Sequence, residues 1–237
     1  NLQFAFVLGR HGGSGSEVMT NALVNNVTNM TLLLGLPAIF WGLTVVPAFR
    51  PKQKKRTFVM EHHVNRLSLL LTLTAVLFFT GTVWALAQDG RLEFSDGLVL
   101  VGLFLFWQSF HVFEVLKSNA RRKKHLGWTL PFELVLLAAG AYGSYISIER
   151  LVDWVSRIES GFVPNHVGWL SGWLMVLPNA LLALYYGQRG NPEIVYTSQV
   201  GDGHICIPLC VGVFALFQSF TVPPVFQTGM LLLIGAT

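Results

Sequence analysis

Apolar runs long enough to cross a bilayer as a helix recur along the whole chain. They fall at about 17–48, 67–88, 95–117, 127–150, 167–187, 194–217 and 220–237, with the tail of another at 1–9. About 20 such residues span the hydrocarbon core, and only helices or closed barrels satisfy their backbone there. A barrel would show short alternating segments; these runs are continuously apolar. Charged residues make up 12% of the chain, about half the share of a soluble domain. The expected class is therefore all-α, a polytopic transmembrane helical bundle. The chain opens at Asn1 without a signal-peptide pattern and stops inside "GMLLLIGAT", so it is expected to be part of a longer one.

The sequence pI of 9.3 reflects where the basic residues cluster and reads as topology rather than nucleic-acid binding. Arg50, Lys52, Lys54, Lys55, Arg56 and Arg66 crowd a loop expected at 50–66, and Arg121–Lys124 a second at 117–125. Two spans separate them, so one orientation places both loops in the cytoplasm. The intervening "AQDGRLEFSD" is net acidic and faces outside. An amphipathic join, "ERLVDWVSRIESGFVPNH", follows the 127–150 span.

The chain resembles itself. "NLQFAFVLGRHGGSGSEVMTNALVNNVTNMTLLLGLPAIF" at its start and "NALLALYYGQRGNPEIVYTSQVGDGHICIPLCVGVFALF" from Asn179 share an order of polar punctuation. Each has Asn, an apolar helix end, then in order Gly, Arg and Gly, an acidic residue, a polar helix start, and an apolar run holding Gly, Pro and a closing Phe. An odd helix offset separates the copies, so they point in opposite directions, as in the inverted repeats of secondary transporters. Asn21, Asn25 and Asn29 recur every four residues and stack on one helix face. Ser198, Asp202 and Cys206 occupy the corresponding positions of the second copy. One such ladder is readily explained as interhelical glue. Two matched ladders in inverted copies point to a shared cation site built from oxygens.

At these residues the chain resembles the sodium/calcium exchanger (cation/Ca²⁺ antiporter) superfamily. "TNALVNNVTNMTLLLGL" is similar to its Gly-Asn-x-x-Gly-Ser-Asn-x-x-Asn…Leu-Gly-Leu segment, and "VLPNALLALYYGQRGNPEIVYTSQVGDGHICIPLCVG" to its second repeat. The resemblance implies ten helices in the complete family fold, with the site between the second, third, seventh and eighth. This chain would start within the second and stop within the ninth. It implies alternating access with Na⁺ or H⁺ exchanged for Ca²⁺. The family's central carboxylates follow a proline; the matching positions here are Asn179, after Pro178, and Asn1. Met175 and Val176 stand where Thr and Ser are usual, and Gly203 and His204 where Asn and an apolar residue are usual. The family's Ser and Asn/Asp positions map to Asn25, Asn29, Asp202 and Cys206.

The expected cation ligands are Asn1, Asn25, Asn29, Asn179, Ser198 and Asp202, with Asp202 the only anion among them. Such a site favours a monovalent ion and weakens Ca²⁺ exchange. His204 reads as a packing hydrogen bond or as a proton carrier. Cys206 and Cys210 read as buried small side chains rather than a metal site or disulfide. Glu61, His62 and His63 are interfacial, because adjacent helical residues point about 100° apart. Glu114 and His111 are an intramembrane candidate or a snorkelling pair with Lys117. Glu133 caps a helix start, and Trp107, Trp128 and Trp169 are interface or packing aromatics. No phosphate loop, dinucleotide fingerprint or nucleophile triad appears, so neither an enzyme nor a cofactor is expected. The transported species would be Na⁺, Ca²⁺ or H⁺. The partners would be the bilayer, those cations and other membrane subunits, with no nucleic acid. The three units are 1–48 and 161–237, the two repeats, and 49–160, the connecting helices. The alternative is a transport-inactive, exchanger-derived structural subunit of a larger membrane complex.

Overall fold

Hydrocarbon offers backbone amides no partner, so apolar runs of this length close their hydrogen bonds internally as helices. A computed structural model describes residues 1–43, 55–122, 130–158 and 161–237. Its helices are α1 (Leu2–Arg10), α2 (Gly15–Trp41), α3 (Lys55–Leu86), α4 (Phe94–Arg122), α5 (Leu130–Ser156), α6 (Phe162–Asn165), α7 (Val167–Gln188), α8 (Pro192–Ile205), α9 (Gly212–Phe217) and α10 (Phe226–Ala236). A π-helical stretch, Cys206–Val211, joins α8 to α9. Among the described residues, five segments are long and apolar enough to cross a membrane: Gly15–Trp41, Leu70–Asp89, Leu130–Val155, Val167–Gln188 and Pro192–Phe217.

Several element boundaries differ from the sequence expectation. Residues 55–66 are helical rather than a loop, and α4 continues through 117–122. Lys, Arg and Glu are good helix formers, so a helix can run on past the apolar segment into its basic flank. Residues 50–54 and 123–129 lie outside the described residues. α2 passes Pro37 without a break and stops at Gly42, whose φ of 58° is left-handed. The ring removes one backbone bond, a loss that neighbouring helices absorb in a membrane bundle. α5 runs through the expected join to Ser156. Residues 220–225 are not helical: β2 (Phe220–Thr221) pairs antiparallel with β1 (Arg91–Leu92), Leu92 opposite Phe220. This clip ties the α3–α4 turn to the α9–α10 turn, and Trp84 Nε1 donates to Gln227 Oε1 beside it at 2.9 Å.

The two copies turn from one helix to the next in the same way. Gly12 and Gly190 hold φ of 69° and 68°. The Gly13 amide returns to Leu8 O at 2.9 Å, and the Asn191 amide to Tyr186 O at 3.0 Å. That six-residue closure with a left-handed glycine is a Schellman-type stop. The same turn thus ends α1 and α7, and α2, α3, α4 and α5 stand between them in sequence.

α2 lies at the centre, against α7 along its length and against α8, the π-helical stretch and α10. Glycine permits the closest approach. A Cβ on Gly168 would meet Glu17 O, and one on Gly172 would lie 3.0 Å from Asn21 O and 2.9 Å from Val24 Cβ. Small residues at such crossings are how membrane helices gain contact without a hydrophobic driving force. Glu17 closes the α2–α7 contact by accepting the Gly168 backbone amide, which satisfies a free donor at the α7 N-terminus. Gly97 and Gly212 form the equivalent crossing of α4 with the start of α9. Phe4, Met19, Phe79, Phe214, Phe226 and Met230 fill the interior. α5 touches α1 and exposes Phe132, Leu137 and Tyr142 along its length.

Candidate cation site

Four elements converge on Asp202. α2 brings Asn25 and Asn29, both 0% exposed, because residues four apart share a helix face. α7 brings Asn179, directly after Pro178. α8 brings Asp202, and the first turn of the π-helical stretch brings Cys206. Asn1 reaches in from the start of α1. Asn29 Nδ2 donates to Asp202 Oδ2 at 2.7 Å, and Asn179 Nδ2 to the same oxygen at 3.1 Å. Asn29 Nδ2 also donates to Asn25 Oδ1 at 2.7 Å. The other carboxylate oxygen, Oδ1, accepts from Cys206 Sγ at 3.4 Å. The sulfur in turn accepts from Asn1 Nδ2 at 2.9 Å and Asn25 Nδ2 at 3.7 Å.

In this arrangement the amides aim N–H groups, not oxygens, at the carboxylate. Donors toward an anion supply the positive partial charge that a cation would otherwise supply. Asn29 Oδ1 is left to a long contact from Asn179 Nδ2 at 3.5 Å, and Asn1 Oδ1 is buried without a partner. The site therefore holds both an anion and under-used oxygens, the elements of a cation cage.

The structure thus gathers Asn1, Asn25, Asn29, Asn179 and Asp202. Ser198 stands apart: its hydroxyl donates to Val195 O at 3.0 Å and accepts from Gln199 Nε2 at 3.0 Å. The ladder on α2 divides, too. Asn21 donates to Ser171 Oγ at 2.8 Å on α7 and does not reach Asp202.

Gln199 escaped the sequence reading, whereas Cys206 was placed on the second ladder and also read as a buried small side chain. Cys206 is buried as expected, yet its sulfur belongs to the polar network. Gln199 is fully buried; its amide bonds the Asn179 carbonyl at 3.3 Å, and its Oε1 is unpartnered. Gln199 lies three residues before Asp202, and that helical spacing was the available signal. Asn26, one residue off the ladder, is buried with neither amide atom paired. The side chains of Glu61, His62, His63, His111, Glu114 and His204 lie outside those described, and Trp128 lies outside the described residues.

Residues 2–113 match the family described as sodium/calcium exchanger protein. The fold matches solved structures of the sodium-calcium exchanger NCX_Mj. One, soaked with Na⁺ and Sr²⁺, superposes with TM-score 0.62 at 20% identity, covering 99% of this chain and 70% of that one. Another, soaked with Na⁺ and Ca²⁺, gives TM-score 0.61 at 19% identity over the same shares. The family match spans a little under half of the chain, and the likeness to the solved exchangers is one of fold. No curated protein matches the chain. The inverted-repeat helical fold expected from the sequence is the fold of that exchanger.

Proposed function

We propose that this chain is a secondary cation antiporter whose central site is poor in carboxylates. The convergence of Asn29 and Asn179 on the single anion Asp202 carries the reading. When a cation enters, the two amides turn over and offer Oδ1, and Asn1 and Asn25 complete the cage. Ser198, one turn before Asp202, joins only if α8 rotates. With the Cys206 thiol protonated, the site holds one negative charge. It therefore suits Na⁺ or a proton and binds Ca²⁺ weakly, since Ca²⁺ sites gather several carboxylates. Exchange proceeds by rocking of the two repeats, 1–48 and 161–237, against the connecting helices of 49–160. The basic segments 50–66 and 117–125 face the cytoplasm.

The test is Na⁺ and Ca²⁺ flux in liposomes containing the purified chain. Na⁺ movement that Asp202→Asn abolishes supports the reading. Micromolar Ca²⁺ affinity lost in the same variant would refute the carboxylate-poor site. A second reading draws on the hydrogen bonds themselves: Asp202, Asn29, Asn25 and Cys206 satisfy one another. Such a network can serve as interhelical glue in a transport-inactive structural subunit of a larger complex. Absence of flux for every cation would favour that role.

A further inference from the structure

Cys206 does more at this centre than fill space. A cysteine used for packing sits among carbon atoms. Here the fully buried sulfur has three polar neighbours from three elements: Asn1, Asn25 and Asp202. Two of them point N–H groups at it. The third is a carboxylate whose Oδ1 lies 3.4 Å from Sγ. Tetrahedral zinc with bonds of about 2.3 Å to sulfur and about 2.0 Å to oxygen holds those two atoms about 3.5 Å apart. The pair is thus already spaced as two ligands of one ion.

We propose that Cys206 makes this site selective for a thiophilic divalent cation of the Zn²⁺/Cd²⁺ class over Ca²⁺. The inference rests on the reading of the Asp202 cluster as a cation site and names its substrate class. Charge decides the preference. A hard ion leaves the thiol protonated and meets only the charge of Asp202. A thiophilic ion breaks the S–H bond, forms an S–metal bond and releases one proton to water. The site then carries two negative charges against two positive ones. Asn1 Oδ1, buried and without a partner, and an amide oxygen of Asn25 or Asn29 complete a mixed sulfur and oxygen set suited to a borderline-soft ion.

The experiment titrates the purified full chain with Cd²⁺ and follows the ultraviolet sulfur-to-cadmium charge-transfer band, with Na⁺, Ca²⁺ and Cd²⁺ flux measured in liposomes. The expected band saturates at one Cd²⁺ per chain, disappears in Cys206→Ser and persists in Cys210→Ser. The serine variant should shift preference from Cd²⁺ toward Ca²⁺ by at least about tenfold. A wild-type chain without the band, or a band that survives Cys206→Ser, overturns the proposal. If Cys206→Ser does not fold, maleimide labelling of the wild-type chain, mapped by mass spectrometry, decides. Protection of Cys206 by Cd²⁺ and not by Ca²⁺ supports the proposal; equal labelling refutes it. Na⁺ or Ca²⁺ flux without a Cd²⁺ signal would remove the thiol ligand and leave the antiporter standing. A Cd²⁺ band without flux of any cation would do the reverse.

Discussion

Asn29 is the most heavily used side chain of the site. Its single NH₂ group serves both Asn25 Oδ1 and Asp202 Oδ2. Asn29→Ala leaves an acceptor on each side without that donor. A loss of about 1–3 kcal/mol is expected, read as a lower unfolding temperature in detergent, together with loss of flux. Asp202→Asn should separate the two effects. The amide keeps an oxygen for Asn29 and Asn179 and removes a charge that is costly in the membrane interior. Thermal stability should hold or rise while Na⁺ flux falls to background. Asn26 is the opposite case, a buried amide with no partner. Replacing an unpaired buried polar group with an apolar one of similar size relieves its desolvation cost of about 1–3 kcal/mol. Asn26→Leu is therefore expected to raise the unfolding temperature, and a fall would show that water pairs the amide.

At the scale of elements, the α2–α7 contact sets the site, because it places Asn25 and Asn29 opposite Asn179. Gly172 has no room for a side chain between Val24 and Asn21. Gly172→Ala should cost about 1–3 kcal/mol through overpacking. Gly172→Leu should separate the helices and lose both stability and flux. Helix unfolding followed by circular dichroism across the two variants checks the gradation. A flat response would mean that α7 is not held here. Glu17 fastens the same pair from outside the site by capping the Gly168 amide. Removing a cap of this kind costs about 0.5–2 kcal/mol, so Glu17→Ala should lower stability.

On the scale of the molecule, two copies of one helix–turn–helix unit meet at Asp202. The turns ending at Gly12 and Gly190 match in φ and in hydrogen bonding. That match reflects a repeat already visible in the order of Asn, Gly, Arg, Gly and an acidic residue. Asn25→Cys on α2 should cross-link to the native Cys206 with a soft-metal or short bifunctional reagent, since Asn25 Nδ2 and Cys206 Sγ stand 3.7 Å apart. Failure of that cross-link would contradict the meeting of the two copies.

The all-helical membrane class, the repeat and most of the polar side chains that gather around Asp202 were legible in the sequence. Apolar run length dictates spanning helices, and an amide every four residues dictates a polar face. The chain order alone does not say which face meets which. Ser198 and Asp202 are a turn apart on α8, yet only Asp202 reaches the centre, and Asn21 pairs with α7 instead. Cys206 falls on the second ladder in the sequence, but only the structure brings Asn1, Asn25 and Asp202 around its sulfur. The physical reason is that hydrogen bonding depends on helix rotation and separation, and these follow from long-range fits such as Gly172 against Asn21 O. Periodicity within one helix carries no record of its neighbour, so only the tertiary structure could turn two polar ladders into one site.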